Sequence, residues 1–348
     1  MKSSLIQPIL ISILLSLVTS KIVYFGFTPN YAADIFSKQA FNGRFDHDVY
    51  KYRILSKYLL FKVDKWLGRT MPEKGAENRI LINTKEGSER FYYAFYYLNT
   101  FFLILTSILM ILLLNLNHSF KLSESEQYLI IFLVPVVICL SQFTVCMYDV
   151  SSYFFQLLIL YIYLRYIDQR FIETILFICL IVILSTLNRE SSALSVSMIA
   201  LLLFKKMGIT KKSAASIASI AFSFLVTYLA LRNFIVDRQH IRIINIQAGQ
   251  FLIDTNIIGL IFWGLFFYLP MVIANSNENR YMIAFFHLLS LPYILICLKD
   301  GVLWEVRLYV PLFISSLFLS KLTPSGFTIH LKDLLNSVSP SIKKKPEA

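Results

Sequence analysis

Four short polar groups stand out against the apolar background of this 348-residue chain. Asp46-His47-Asp48 brackets an imidazole with two carboxylates, and Met147-Tyr148-Asp149-Val150 places one acid between apolar runs. Asn188-Arg189-Glu190-Ser191-Ser192 is lodged between apolar runs with no other loop sequence around it. Trp304-Glu305-Val306-Arg307-Leu308-Tyr309 leads into the last apolar run just before Pro311. A carboxylate can take the proton of a hydroxyl in general-base catalysis. A guanidinium holds phosphate with charge-assisted, often bidentate, hydrogen bonds. Asp46 and Asp48 are the candidates for the first role, and Arg53, Arg189 and Arg307 for the second. Asp149, Asn188, Glu190 and Glu305 complete the binding set, the two glutamates orienting the arginines or the substrate.

Each group also has a plainer explanation. Asp46 and Asp48 can cap a helix and solvate a loop. Asn188-Arg189-Glu190 can lock helices together as an ion-pair network, although a charge at membrane depth costs at least a few kcal/mol unless it meets a cavity or partner. Neighbours on a helix point about 100° apart, so Arg189 and Glu190 each need a different partner. Glu305 and Arg307 read equally well as interfacial loop charges. No metal-ligand set is assigned; Asp46-His47-Asp48 leaves a divalent cation, Mg2+ or Mn2+, open as a cofactor. His118, His240, His287 and His330 form no pattern. The cysteines Cys139, Cys146, Cys179 and Cys297 lie in apolar blocks and read as small hydrophobes.

The elements that must position these groups are membrane helices. Residues are 57% hydrophobic and only 16% charged, with a mean hydropathy of +0.63, against roughly 25% charged in a soluble domain. The expected fold is all-α, a polytopic bundle of about ten spans forming one transmembrane domain over residues 1–320. The spans fall near Leu5–Phe27, Phe91–Leu114, Tyr128–Cys146, Ser152–Ile167, Phe171–Leu187, Ser191–Phe204, Ala214–Phe234, Ile257–Ala274, Tyr281–Leu298 and Leu308–Ser320. Hydrophobicity resumes after Lys21, past the weak cleavage candidate, so the first helix reads as uncleaved. Lys and Arg concentrate in alternate short loops, which predicts both termini in the cytoplasm and all four polar groups on the opposite face. The net charge of +12 is then a topology signal, with no nucleic-acid partner implied.

The large outside loop, 28–90, opens with the acidic group and continues as an amphipathic helix lying in the membrane surface. Val49, Tyr52, Leu55, Leu59, Leu60, Val63, Trp66 and Leu67 make its apolar arc. Lys51, Arg53, Lys57, Lys62, Asp64 and Lys65 make the polar one. Residues 321–348 read as a basic cytoplasmic tail with Lys343-Lys344-Lys345 near its end.

An N-terminal span, a large outside loop with an acidic group and a juxtamembrane helix, and many further spans resemble the membrane-embedded glycosyltransferases of the GT-C class. Asp-Val-Tyr-Lys-Tyr-Arg-Ile-Leu at 48–55, Leu-Asn-Arg-Glu-Ser at 187–191 and Glu-Val-Arg-Leu-Tyr at 305–309 are similar to motifs of uncharacterised bacterial polytopic proteins grouped near that class. The resemblance implies an enzyme of the bacterial inner membrane that uses a polyprenyl-phosphate sugar donor on the extracytoplasmic face. Its partners would be the lipid bilayer, that donor, and a glycan or lipid acceptor. In that class an acid of the first outside loop is the base, which the resemblance places at Asp46 or Asp48. The chain departs from the oligosaccharyltransferases in having no large soluble domain after the last span, which disfavours a protein acceptor. A transporter or flippase of a lipid-linked or anionic substrate, and a non-catalytic subunit of a glycan assembly complex, are the alternative readings. No internal repeat supports transport.

Overall fold

A computed structural model describes residues 3–26, 38–47, 49–71, 88–116, 119–143, 145–235, 254–301 and 303–323. These residues are mostly helical, and the β-pairing identified among them is one isolated antiparallel bridge, Phe120 to Leu322. In chain order the helices are α1 Ser3–Gly26, α2 Lys38–His47, α3 Ile54–Leu67, α4 Glu89–Leu114, α5 Glu124–Leu140, α6 Asp149–Tyr166 and α7 Phe171–Asn188. There follow α8 Ala193–Met207, α9 Lys211–Phe234, α10 Asp254–Val272, α11 Asn277–Leu289, α12 Leu291–Asp300 and α13 Val310–Lys321.

Each of the ten apolar runs is helical over most of its length. Among the described residues, five helices are long and apolar enough to cross a membrane, and a bent pair, α11 with α12, makes a sixth. The bend is 56°, and Pro292 at the start of α12 accounts for it, since proline has no N–H to continue the ladder of α11. Outward faces carry large apolar side chains in numbers that water would not tolerate: Leu14, Phe132, Ile172, Phe222, Leu265 and Ile296 are each more than half exposed.

At the centre lies α13. All its residues are buried, which is why it is apolar on every side rather than along one stripe. Its 12 residues span about 18 Å, well short of a hydrocarbon layer about 30 Å thick. Both α10 and α11 pack on it, while α4 runs between α1 and α6, and α7 between α6 and α9. Polar contacts anchor the C-terminal end of α13: Lys321 Nζ reaches Glu126 Oε1 at 2.5 Å and Ile273 O at 2.7 Å. Asn279 Nδ2 donates to Leu319 O and Leu322 O.

The amphipathic stretch 49–67 divides into a 3₁₀ turn, Val49–Tyr52, and α3, which packs against α4 and α7. Its buried positions are Ser56, Leu60, Asp64 and Leu67, a stripe at helical spacing that corrects the sequence-based arc. Asp64, assigned to the polar side, is inside because Arg90 meets its Oδ1 at 3.0 Å and Lys38 its Oδ2 at 2.5 Å. Of the apolar arc, Leu60 and Leu67 are buried, while Trp66 stands exposed beside the ring of Tyr97, as an arc meeting the bilayer allows. Long-range pairing thus draws one residue of the polar side inward.

Candidate functional site

Alternating helix directions bring one set of ends together. Here lie the starts of α6 and α13, the end of α7 and the 3₁₀ turns Glu190–Ser192 and Val306–Leu308. The sequence gathers polar residues at these breaks because a helix start leaves N–H groups unpaired and carries a partial positive charge. Asp149 uses that field in the first turn of α6. It has no exposed surface, and a buried carboxylate needs partners.

Two arginines supply them. Arg189 Nη1 lies 2.5 Å from Asp149 Oδ1, and Arg307 Nη1 lies 3.2 Å from Asp149 Oδ2. The first of these is a charge contact without hydrogen-bond alignment, so Asp149 Oδ1 and Arg189 Nη1 are both buried atoms lacking an aligned hydrogen bond. Arg307 is bound on its other edge by Glu305, whose Oε2 accepts from Nη2 at 2.5 Å and from Nε at 2.9 Å. Its Nη1 also points at Cys146 Sγ, 3.0 Å away, and at Tyr148 Oη, 3.3 Å away.

Arg53, from the segment ahead of α3, joins the same centre. Its Nε lies 3.3 Å from Glu190 Oε2, and its guanidinium carbon sits 3.8 Å from the centroid of the Tyr148 ring. Arg189 approaches that ring at 5.5 Å. Tyr148 is thus a platform for two guanidiniums, a favourable arrangement for cations over a π face. Burial alone would push the Glu190 carboxyl up. Arg53, the residue's own backbone N–H, Arg189 and Arg232 outweigh it and hold that carboxyl below its ordinary range. Glu190 therefore stays charged and suits orienting an arginine better than accepting a proton.

Asn188 ties the helices beneath the cluster. Its Oδ1 accepts from Ser56 Oγ at 2.5 Å and Ser151 Oγ at 2.7 Å, and its Nδ2 donates to Tyr148 O at 3.0 Å. These bonds join α3, α6 and α7. Tyr153 Oη donates to Arg307 O at 3.2 Å, and Tyr293 Oη to Leu308 O at 2.9 Å, fixing the turn that carries Arg307.

Seven of the nine residues expected from the sequence, Arg53, Asp149, Asn188, Arg189, Glu190, Glu305 and Arg307, therefore form one connected cluster. Arg189 and Glu190 do take different partners. Asp46 lies in the last turn of α2, which packs beside the Val49–Tyr52 turn; its side chain and the whole of Asp48 lie outside the described residues. Among the described residues no group of three His, Cys, Asp or Glu could hold a metal ion. Sequence reasoning did not give Tyr148 a role, since an aromatic in an apolar run carries no local sign of what will stack on it. It also missed Arg232 at the end of α9, whose guanidinium carbon lies 4.4 Å from the Tyr52 ring. Comparison with protein-family models, with curated proteins and with solved structures gives no match.

Proposed function

We propose that this protein is a membrane glycosyltransferase of GT-C type, which moves a sugar from a polyprenyl-phosphate donor to a glycan or lipid acceptor. The observation that carries the reading is the convergence of Arg53, Arg189 and Arg307, from three segments far apart in sequence, around Tyr148 and Asp149. Guanidiniums fixed in advance by buried carboxylates need little reorganisation to hold the phosphate that departs in sugar transfer. In this reading Asp46 or Asp48 takes the acceptor's proton, with a divalent cation as an optional aid. Asp149, Glu190 and Glu305 hold the arginines in place.

The finer topology belongs to the same proposal. The ten apolar runs are ten spans, the short ones completed by neighbouring turns. The cluster faces the extracytoplasmic side of a bacterial inner membrane, and both termini face the cytoplasm. What weighs against a transport path is the lack of an internal repeat in the sequence.

A second reading has one observation in its favour. Arg53, Arg189 and Arg307 are balanced by Asp149, Glu190 and Glu305, as a purely structural lock in a non-catalytic subunit would be. Turnover separates the two. Purified protein in liposomes, given polyprenyl-phosphate sugars and a membrane glycan extract, is expected to release free polyprenyl phosphate. The double variant Asp46→Asn, Asp48→Asn should abolish that release while remaining folded. Turnover by the double variant would remove both aspartates as the base, and no turnover by wild type with any donor would favour the structural reading.

A further inference from the structure

Within the proposed donor site, ion pairing among the described residues sets one arginine apart. Arg53 is paired with Glu190, Arg189 with Asp149, and Arg307 with both Asp149 and Glu305. Arg232 is different. Among the described residues no carboxylate stands within ion-pair distance of it, and its Nε is a buried donor with no hydrogen-bond acceptor.

Aromatic rings hold its guanidinium instead: the carbon lies 4.4 Å from the centroid of Tyr52 and 5.0 Å from that of Tyr228, one helical turn back on α9. Such faces fix the planar group without neutralising its charge or using its donors. Tyr52 directly precedes Arg53, and Arg232 is close enough to Glu190 to help lower its carboxyl. Among the described residues, counting Arg232, four guanidiniums stand against three carboxylates, and the unbalanced one lies over the ring of Tyr52, the residue before Arg53.

We infer that Arg232 is a further ligand of the phosphate oxyanion, the unpaired one beside Arg53, Arg189 and Arg307, with Tyr52 and Tyr228 positioning its guanidinium. The inference rests on the reading of the cluster as a phosphate site. The chemistry recognised is a phosphate monoester or diester, borne by a lipid or free in solution.

The test measures the affinity of purified protein in nanodiscs for farnesyl phosphate, farnesol and inorganic phosphate. The variants are Arg232→Gln, Arg232→Lys and, as a control of equal charge change at the far end of the bundle, Arg280→Ala. Arg280 is exposed there and bonds Met271 O and Asn277 Oδ1. Wild type should prefer farnesyl phosphate to farnesol. Arg232→Gln should weaken farnesyl phosphate by about tenfold or more, the loss expected for charged hydrogen bonds, with farnesol unchanged. Arg232→Lys, which keeps the charge and loses the fork, should fall between them even if the glutamine variant folds poorly, and Arg280→Ala should match wild type. If inorganic phosphate binds as tightly as farnesyl phosphate and is lost equally in Arg232→Gln, the role of Arg232 holds and the lipid-linked donor is overturned. Wild-type affinity in Arg232→Gln, with wild type still preferring farnesyl phosphate to farnesol, overturns the assignment of Arg232 and leaves the site. Binding of neither phosphate by wild type overturns both.

Discussion

Asp149 holds two guanidiniums with one fully buried carboxylate, so the arrangement depends on that one charge. Replacement by asparagine keeps the shape and removes the charge, leaving Arg189 and Arg307 facing a neutral group. Breaking a buried pair by removing one partner costs about 3–5 kcal/mol. Asp149→Asn should therefore lower the thermal midpoint of the purified protein more than Glu190→Gln, whose carboxylate is partly exposed; equal midpoints would mean that Asp149 is not the hub. Glu190 gives a pH prediction. Its folded carboxyl sits below the ordinary value, so its stabilising effect is complete above the unfolded pKa, about 4.3, and fades as pH falls through the lower folded value. The midpoint difference between wild type and Glu190→Gln should stay constant from pH 7 to about pH 5 and shrink under more acid conditions. A difference already shrinking near neutrality would contradict the Arg53 and Arg189 influence on this carboxyl.

The helical elements were readable from apolar runs, and the polar groups were readable because charge between such runs is costly. What was not readable depends on partners far along the chain. The pattern of α3 put Asp64 outside, and Arg90 of α4 draws it in; nothing local to α3 announces that pair. Tyr148 and Arg232 were passed over for the same reason, since the rings and guanidiniums that meet there come from separate segments. A close approach of backbones positions the last part of the site. A Cβ added at Gly259 of α10 would overlap Leu303 O and crowd Trp304 Cα, immediately ahead of Glu305. Gly259→Val should push the 303–307 segment away, loosening the Glu305–Arg307 pair, and should show faster amide exchange at Val306–Leu308 than wild type. Exchange unchanged at those amides would mean that α10 yields instead.

At the scale of the whole molecule, two polar ends are separated by apolar helix. The arginine cluster occupies one, and Lys321, Glu126, Asn275 and Asn279 tie the other. Asn233, beside Arg232, and Arg170, at the start of α7, are exposed at opposite ends. With the four native cysteines changed to alanine, Asn233→Cys and Arg170→Cys should react with an impermeant maleimide from opposite faces of oriented vesicles, and labelling of both from one face would refute the bundle's orientation across the bilayer. The central claim is that the cluster holds the phosphate of a lipid-borne ligand rather than serving only as a lock, and native mass spectrometry of the protein purified in nanodiscs tests it most directly. Wild type should carry a bound polyprenyl phosphate that Arg189→Ala loses while remaining folded. A well-folded wild type with no such lipid, or an equal amount of it on Arg189→Ala, would contradict the account.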